Sequence, residues 1–361
     1  MKSLLRLLLK SQYQQNRYHS SQTEKCMTLI ELLIGTVMAF LILTPMLAFV
    51  VDMLNTDRRE QVKSNTEQDI QAAVDFIAQD LSQSIYIYDN NPDTTSSIRN
   101  TPTGISAIKA QLPAPDDGTP ILVFWKRQQI PNAVPINSTV SAKKPSDCKT
   151  KLEECNDTYV LALVAYYEIK ETDPKSIWCQ PSGGPCPTRI ARYEIRDGVK
   201  NPSSSDPNNP YYAAESEEYA PDPAFNKSFD ISKPTELVTN ETGLKDQKSG
   251  ATKPQVLLNY IDHSPGPKPV DPAECQKALG NPSTTIITTL TPVPEPTLRI
   301  PASGTVNSFY ACVDTARNLA RVTIRGNSLR RLQTDANYDA NRSAFFPTAS
   351  VQVQGLGARG K

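Results

Sequence analysis

Few residues in this 361-residue chain have types and spacings that could do chemistry. Seven cysteines lead. Cys26 stands apart, just before a long apolar run; the other six are Cys148, Cys155, Cys179, Cys186, Cys275 and Cys312. An even number in an exported domain favours disulfides. Cys148/Cys155 and Cys179/Cys186 are each separated by six residues and could each close a short loop, leaving Cys275 and Cys312 to pair over a long one. Zinc is the competing reading, but the spacings are not those of CxxC knuckles, and His263 is the one histidine beyond the first 26 residues. The expectation is no metal and no cofactor. His263 lies in a Pro/Gly-rich stretch with no evident Ser or Cys partner, and no phosphate-cradling glycine loop occurs, so no catalytic residue is assigned. Asp335, Asn337, Asp339, Asn341 and Ser343 alternate oxygen-bearing side chains, but lack the glycine and terminal glutamate of an EF-hand loop. A turn held by Asx hydrogen bonds is expected there. Arg321, Arg325, Arg330 and Arg331 could meet an anionic glycan or form a solvated face.

The remaining candidate is Glu31, the single ionisable side chain in residues 27–51 (MTLIELLIGTVMAFLILTPMLAFVV). As a helix these 25 residues rise roughly 37 Å, enough to cross a bilayer core of about 30 Å. The run is too long for a secretory signal peptide, and no small-residue cleavage site closes it. A plain membrane anchor is one reading. A carboxylate in hydrocarbon costs roughly 2.5–3.5 kcal/mol and normally has a partner. No Lys, Arg or His lies within the run, so the partner comes from another chain or Glu31 sits shallow at the interface. Residues 1–26 carry Lys2, Arg6, Lys10, Arg17 and Lys25 against Glu24, five cations to one anion, a balance of +4. The positive-inside rule keeps that end cytoplasmic and puts the bulk of the chain on the other side.

The stretch Lys25-Cys26-Met27-Thr28-Leu29-Ile30-Glu31-Leu32-Leu33-Ile34 resembles the type IV prepilin cleavage and methylation motif. The resemblance implies cutting by prepilin peptidase between Cys26 and Met27, with methylation of the new Met27 amine. Thr28, Leu29, Ile30 and Glu31 form the motif that follows. Glu31 becomes the fifth mature residue, which in that family pairs with the N-terminal amine of a neighbouring subunit during assembly. The departure is Cys26, where glycine is usual.

From Asp52 the chain turns polar but keeps helical spacing. Val62, Thr66, Ile70, Ala73, Val74, Ile77, Leu81 and Ile85 recur at three- and four-residue steps. Glu67, Asp69, Asp75, Gln79 and Asp80 are assigned off that stripe. Pro45 is expected inside one long helix, since membrane helices tolerate proline. The stretch Glu67–Ser82 resembles the long helix of minor pseudopilins of the J or W type. With Ile85-Tyr86-Ile87-Tyr88-Asp89 it is more similar to the hormogonium polysaccharide secretion pseudopilin family. The blocks Phe309–Thr315, Asn318–Leu329 and Phe346–Gly355 resemble the closing part of the same family.

These elements set the organisation: a leader (1–26), the membrane-spanning half of a helix (27–51), its amphipathic half (52–89) and an exported head (90–361). Strands are expected at Ile121–Trp125, Tyr159–Ile169, Arg189–Ile195, Ala320–Ile324 and Ser350–Gln354. The fold class is α+β and pilin-like: a long N-terminal helix packed on an antiparallel sheet, with long disulfide-tied loops. Thirty prolines, about 8% of the chain, and breaker-rich runs at 201–210, 264–269 and 291–296 predict Pro-rich surface loops over about 197–305, without a core of their own. Equal counts of 38 basic and 38 acidic residues remove a global electrostatic case for nucleic acid.

The expected function is structural: a minor pseudopilin that primes or caps a short pseudopilus exporting polysaccharide for gliding. The alternative is a minor pilin of a general type IV pilus or type II secretion system. By resemblance the partners are other pilins or pseudopilins, prepilin peptidase and the inner-membrane assembly platform, with polysaccharide a further candidate. The expected location is single-pass in the inner membrane with the head in the periplasm, or at a filament tip on the cell surface.

Overall fold

The computed structural model describes residues 28–91, 104–115, 118–136, 145–148, 155–181, 183, 185–206, 209–212, 219–236, 238–240, 254–262, 264, 271–286, 289–302, 308–334 and 336–357. The chain divides into two units, Met1–Arg58 and Arg59–Lys361. One 54-residue helix, α1 (Leu29–Ser82), runs through the boundary.

In the first unit, α1 is apolar on every side from Leu32 to Val51. Its large side chains from Leu29 to Leu54 are all exposed, Leu29 by 85% and Phe40 by 72%. A helix that is hydrophobic all round belongs in a low-dielectric surround. This stretch is long and apolar enough to cross a membrane once. Pro45 lies inside the helix, as expected, and removes one backbone donor there.

In the second unit, α1 is amphipathic. Thr66, Ile70, Ala73, Val74, Ile77, Asp80 and Leu81 are buried, close to the predicted stripe. Full burial of a side chain such as Ile77 is worth about 1.5–3 kcal/mol. Two assignments need correction. The helix ends at Ser82, not near Asp89: Ser84–Ile87 form a strand, β1, because their β-branched and aromatic side chains suit a pleated edge. Asp80 lies on the buried face, where cations from the sheet compensate its charge.

Beyond α1 comes a five-stranded antiparallel meander in sequence order: β1, β2 (Gly118–Pro135), β3 (Cys155–Lys170), β4 (Thr188–Arg196) and β5 (Gln255–Ile261). After a two-stranded hairpin, β6 (Ser283–Ile286) and β7 (Thr289–Pro292), a second antiparallel sheet has the order β11-β10-β9-β8. Its strands are β8 (Arg299–Ile300), β9 (Phe309–Asp314), β10 (Leu319–Arg325) and β11 (Thr348–Gln354). A bridge between Ile261 and Gly326 ties the two sheets. Gly326 lies close against α1: a Cβ there would come within 2.4 Å of Ile70 Cδ1, which would have to shift. The α+β expectation holds, and the arrangement is consistent with a pilin-like head.

All five predicted strands are present, most of them extended. β3 explains more. Its run VLALVAYY is apolar on both faces, so both faces must be covered. Asp80 of α1 bonds Tyr166 on one face. On the other, Trp125 of β2 stacks on Phe229 with ring centroids 4.0 Å apart and meets Phe225 edge-on at 6.2 Å. Ala224, Phe225 and Val238 are buried in the same core as Trp125, while Tyr219 packs in a separate small cluster with Ile130, Val160 and Val199. The region 197–305 is therefore more than surface loop. It supplies β5 and this second cover, and Cys275, Leu279, Val293 and Leu298 form a small core with Tyr310 and Cys312.

The end of α1 is locked by the far end of the chain. Asn318 Nδ2 donates to Ser84 O at 2.9 Å, and Gly355 N donates to Asn318 O at 2.9 Å. Asn318 is itself left-handed, φ 49°.

Candidate functional site

Two places carry function-bearing chemistry: the start of α1 and a polar cleft beside its end. At the start, Thr28 and Glu31 form a reciprocal cap. Glu31 Oε2 accepts from Thr28 N and from Thr28 Oγ1, each at 3.0 Å, while Glu31 N donates to Thr28 Oγ1 at 3.3 Å. This is the T-x-x-E capping box. The helix N-terminus thus supplies Glu31 with local donors, and these leave its negative charge without a cation among the described residues. The T-x-x-E spacing ahead of an apolar run was the available signal. Cys26 and Met27, the predicted cleavage and methylation residues, lie outside the described residues.

The six candidate cysteines pair as Cys148–Cys155, Cys179–Cys186 and Cys275–Cys312. That removes all six from thiolate ligation. His263 and Asp335 lie outside the described residues. Asp339 does hold a turn, accepting from Asn341 N at 2.9 Å.

The four arginines do not form one face. Arg325 is buried and pairs with Asp262 at 2.6 Å. Arg331 bonds Asp69 of α1 at 2.5 Å. Arg330 is fully buried and donates to the carbonyls of Pro181, Gly183 and Pro185 at 3.0–3.3 Å, clamping the Cys179–Cys186 loop. Arg321 stays near the surface, within 3.3 Å of Ser350 Oγ. Neither a glycan-facing cluster nor a solvated face results, because carboxylates and carbonyls elsewhere in the head claim three of the four.

Beside the end of α1 lies a cleft of about 670 Å³. Its floor is a charge cluster missed in the sequence. Asp80 Oδ1 accepts from Lys126 Nζ at 2.9 Å; Asp80 Oδ2 accepts from Arg192 Nε and Tyr166 Oη, each at 2.7 Å. Glu194 bonds Arg192 and lies 3.4 Å from Lys126. Two cations balance two anions. Burial alone would raise the Asp80 pKa, but the Arg192 hydrogen bond and the Lys126 and Arg192 charges outweigh it and hold the carboxyl below its ordinary value. The helical step from Ile77 to Asp80 was the signal for its inward placement.

Searches of family models, of curated proteins and of solved structures return no match to this chain.

Proposed function

We propose that this chain is a minor pseudopilin, a structural subunit that primes or caps a short inner-membrane filament exporting polysaccharide. The observation that carries the reading is a helix opened by Thr28 and Glu31, apolar on all sides through Val51, and continued by an amphipathic half under a disulfide-bonded head. Such a helix supplies a bundling element, and its +4 leader supports a cytoplasmic start with the head in the periplasm. The proposed partners are other pseudopilins through Glu31 and the apolar surface, prepilin peptidase at Cys26/Met27, and the assembly platform. A head of some 270 residues suits a tip or minor position better than a densely repeated shaft. The polysaccharide part rests on the resemblance of Ile70–Asp89 and Phe309–Gly355. Deletion of the gene tests it. Loss of secreted polysaccharide with surface pili retained is the expected outcome. Loss of all surface pili, with motility not restored by added polysaccharide, would make it a general type IV minor pilin instead.

A further inference from the structure

The cleft beside the end of α1 has a composition that its structural role does not require. β1 covers β2 only from Phe124 to Lys126, so beyond Lys126 that edge of β2 opens onto the cleft. Gln79 and Gln83, from α1 and its following turn, and Gln128 from β2 all line it. The Gln128 Oε1 atom is buried and has no hydrogen-bond partner. Leaving such an acceptor unmade costs stability unless a water or a ligand in the cleft supplies the donor. Tyr159 is 55% exposed at the rim, and the Arg127 guanidinium stacks 4.7 Å from its ring centroid. The floor cluster is neutral in sum, so Arg127 adds a positive charge.

We infer that this cleft binds a saccharide bearing carboxylate groups. Primary amides present one donor and one acceptor edge, which matches vicinal hydroxyls. An exposed aromatic ring offers a flat apolar surface for the C–H face of a pyranose. Arg127 is placed for the acid group, and the volume lies within the ~300–1,000 Å³ of small-ligand sites. An added peptide strand fits the same edge poorly. Backbone donors facing that edge alternate along β2. Arg127 N is taken by Gln83 O at 3.2 Å, and Pro131 has no N–H, which leaves Gln129 between them. The inference adds a ligand to the filament reading without depending on it, and its failure would leave that reading standing.

The test uses the full chain in a non-glycosidic detergent, titrated calorimetrically with tetragalacturonate, alongside Gln128→Leu and Tyr159→Ala. Saturable binding is expected, weakened about fivefold or more by each variant with the thermal midpoint retained. Absence of saturable binding would overturn the proposal. So would binding that neither variant alters, or displacement of the sugar by an extended Thr/Val octapeptide that binds more tightly.

Discussion

Asp80 and Arg192, 112 positions apart in the chain, meet at 2.7 Å beneath the last turn of α1. The contact staples helix to sheet through a charge that also engages Lys126 and Tyr166. Removing one partner of a buried pair leaves the other uncompensated. Asp80→Ala should destabilise the head by about 3–5 kcal/mol in denaturant unfolding. Because the folded-state pKa of Asp80 is depressed, its contribution is present above the ordinary aspartate pKa and is lost as pH falls through the lower, folded value. Acid unfolding of Asp80→Ala should lack that component. An unchanged midpoint would assign the helix's hold to apolar packing alone.

Glu168 on β3 gives the opposite sign. Burial raises its pKa, offset in part by Lys170, and its Oε1 has no hydrogen-bond partner. An acid whose folded pKa is raised binds its proton more readily when folded. Stability should therefore fall as pH rises from the ordinary glutamate value through the folded one. Glu168→Gln should flatten that slope and stabilise the head by about 1 kcal/mol at neutral pH. A pH–stability profile of the two proteins decides it.

Arg330 holds a loop by donating to three carbonyls, a task suited to a planar fork. Arg330→Lys should fail to rescue what Arg330→Met loses, about 1–3 kcal/mol. Amide exchange should rise around the Cys179–Cys186 loop in both. Equal protection in the lysine variant would show that charge alone suffices.

The three disulfides should contribute unequally. By the chain-entropy argument, the Cys275–Cys312 loop of separation 37 gains about 1.5 kcal/mol over the two loops of separation 7. Alkylation of the denatured, unreduced protein should find none of these six thiols free. Replacing Cys275 and Cys312 together by Ser should lower the midpoint more than replacing either short-loop pair.

Thr28 and Glu31 allow the cap to be separated from assembly. If Glu31 serves only its own helix, Thr28→Ala should reproduce the filament-incorporation defect of Glu31→Ala. If Glu31 also pairs with a neighbour's amine, Glu31→Ala should be the more severe. Head stability should be unchanged in both, because the cap lies in the first of the two units.

The membrane-length helix, the stripe from Thr66 to Leu81 and all five predicted strands were legible because each rests on local periodicity. What was missed depends on non-local satisfaction. Asp80 reads as polar until cations from β2 and β4 reach it. Arg325, Arg330 and Arg331 read as a basic cluster until Asp262, three carbonyls and Asp69 divide them. The breaker-rich region hid a sheet cover, because Ala224, Phe225 and Val238 are spaced by turns and show no period. The demand for that cover was nonetheless visible in β3, whose two apolar faces needed two lids.

The lock on Ser84 also sets a clock. Its amide partner, Asn318, follows 234 residues later in the chain. At ~5–20 residues per second of synthesis, Asn318 emerges roughly 10–50 s after Ser84. Over that interval the ribosome has delivered the helix and the meander but not the strands that close the core. A nonsense mutation before Asn318 would leave Ser84 without that partner and the second sheet without β10 and β11.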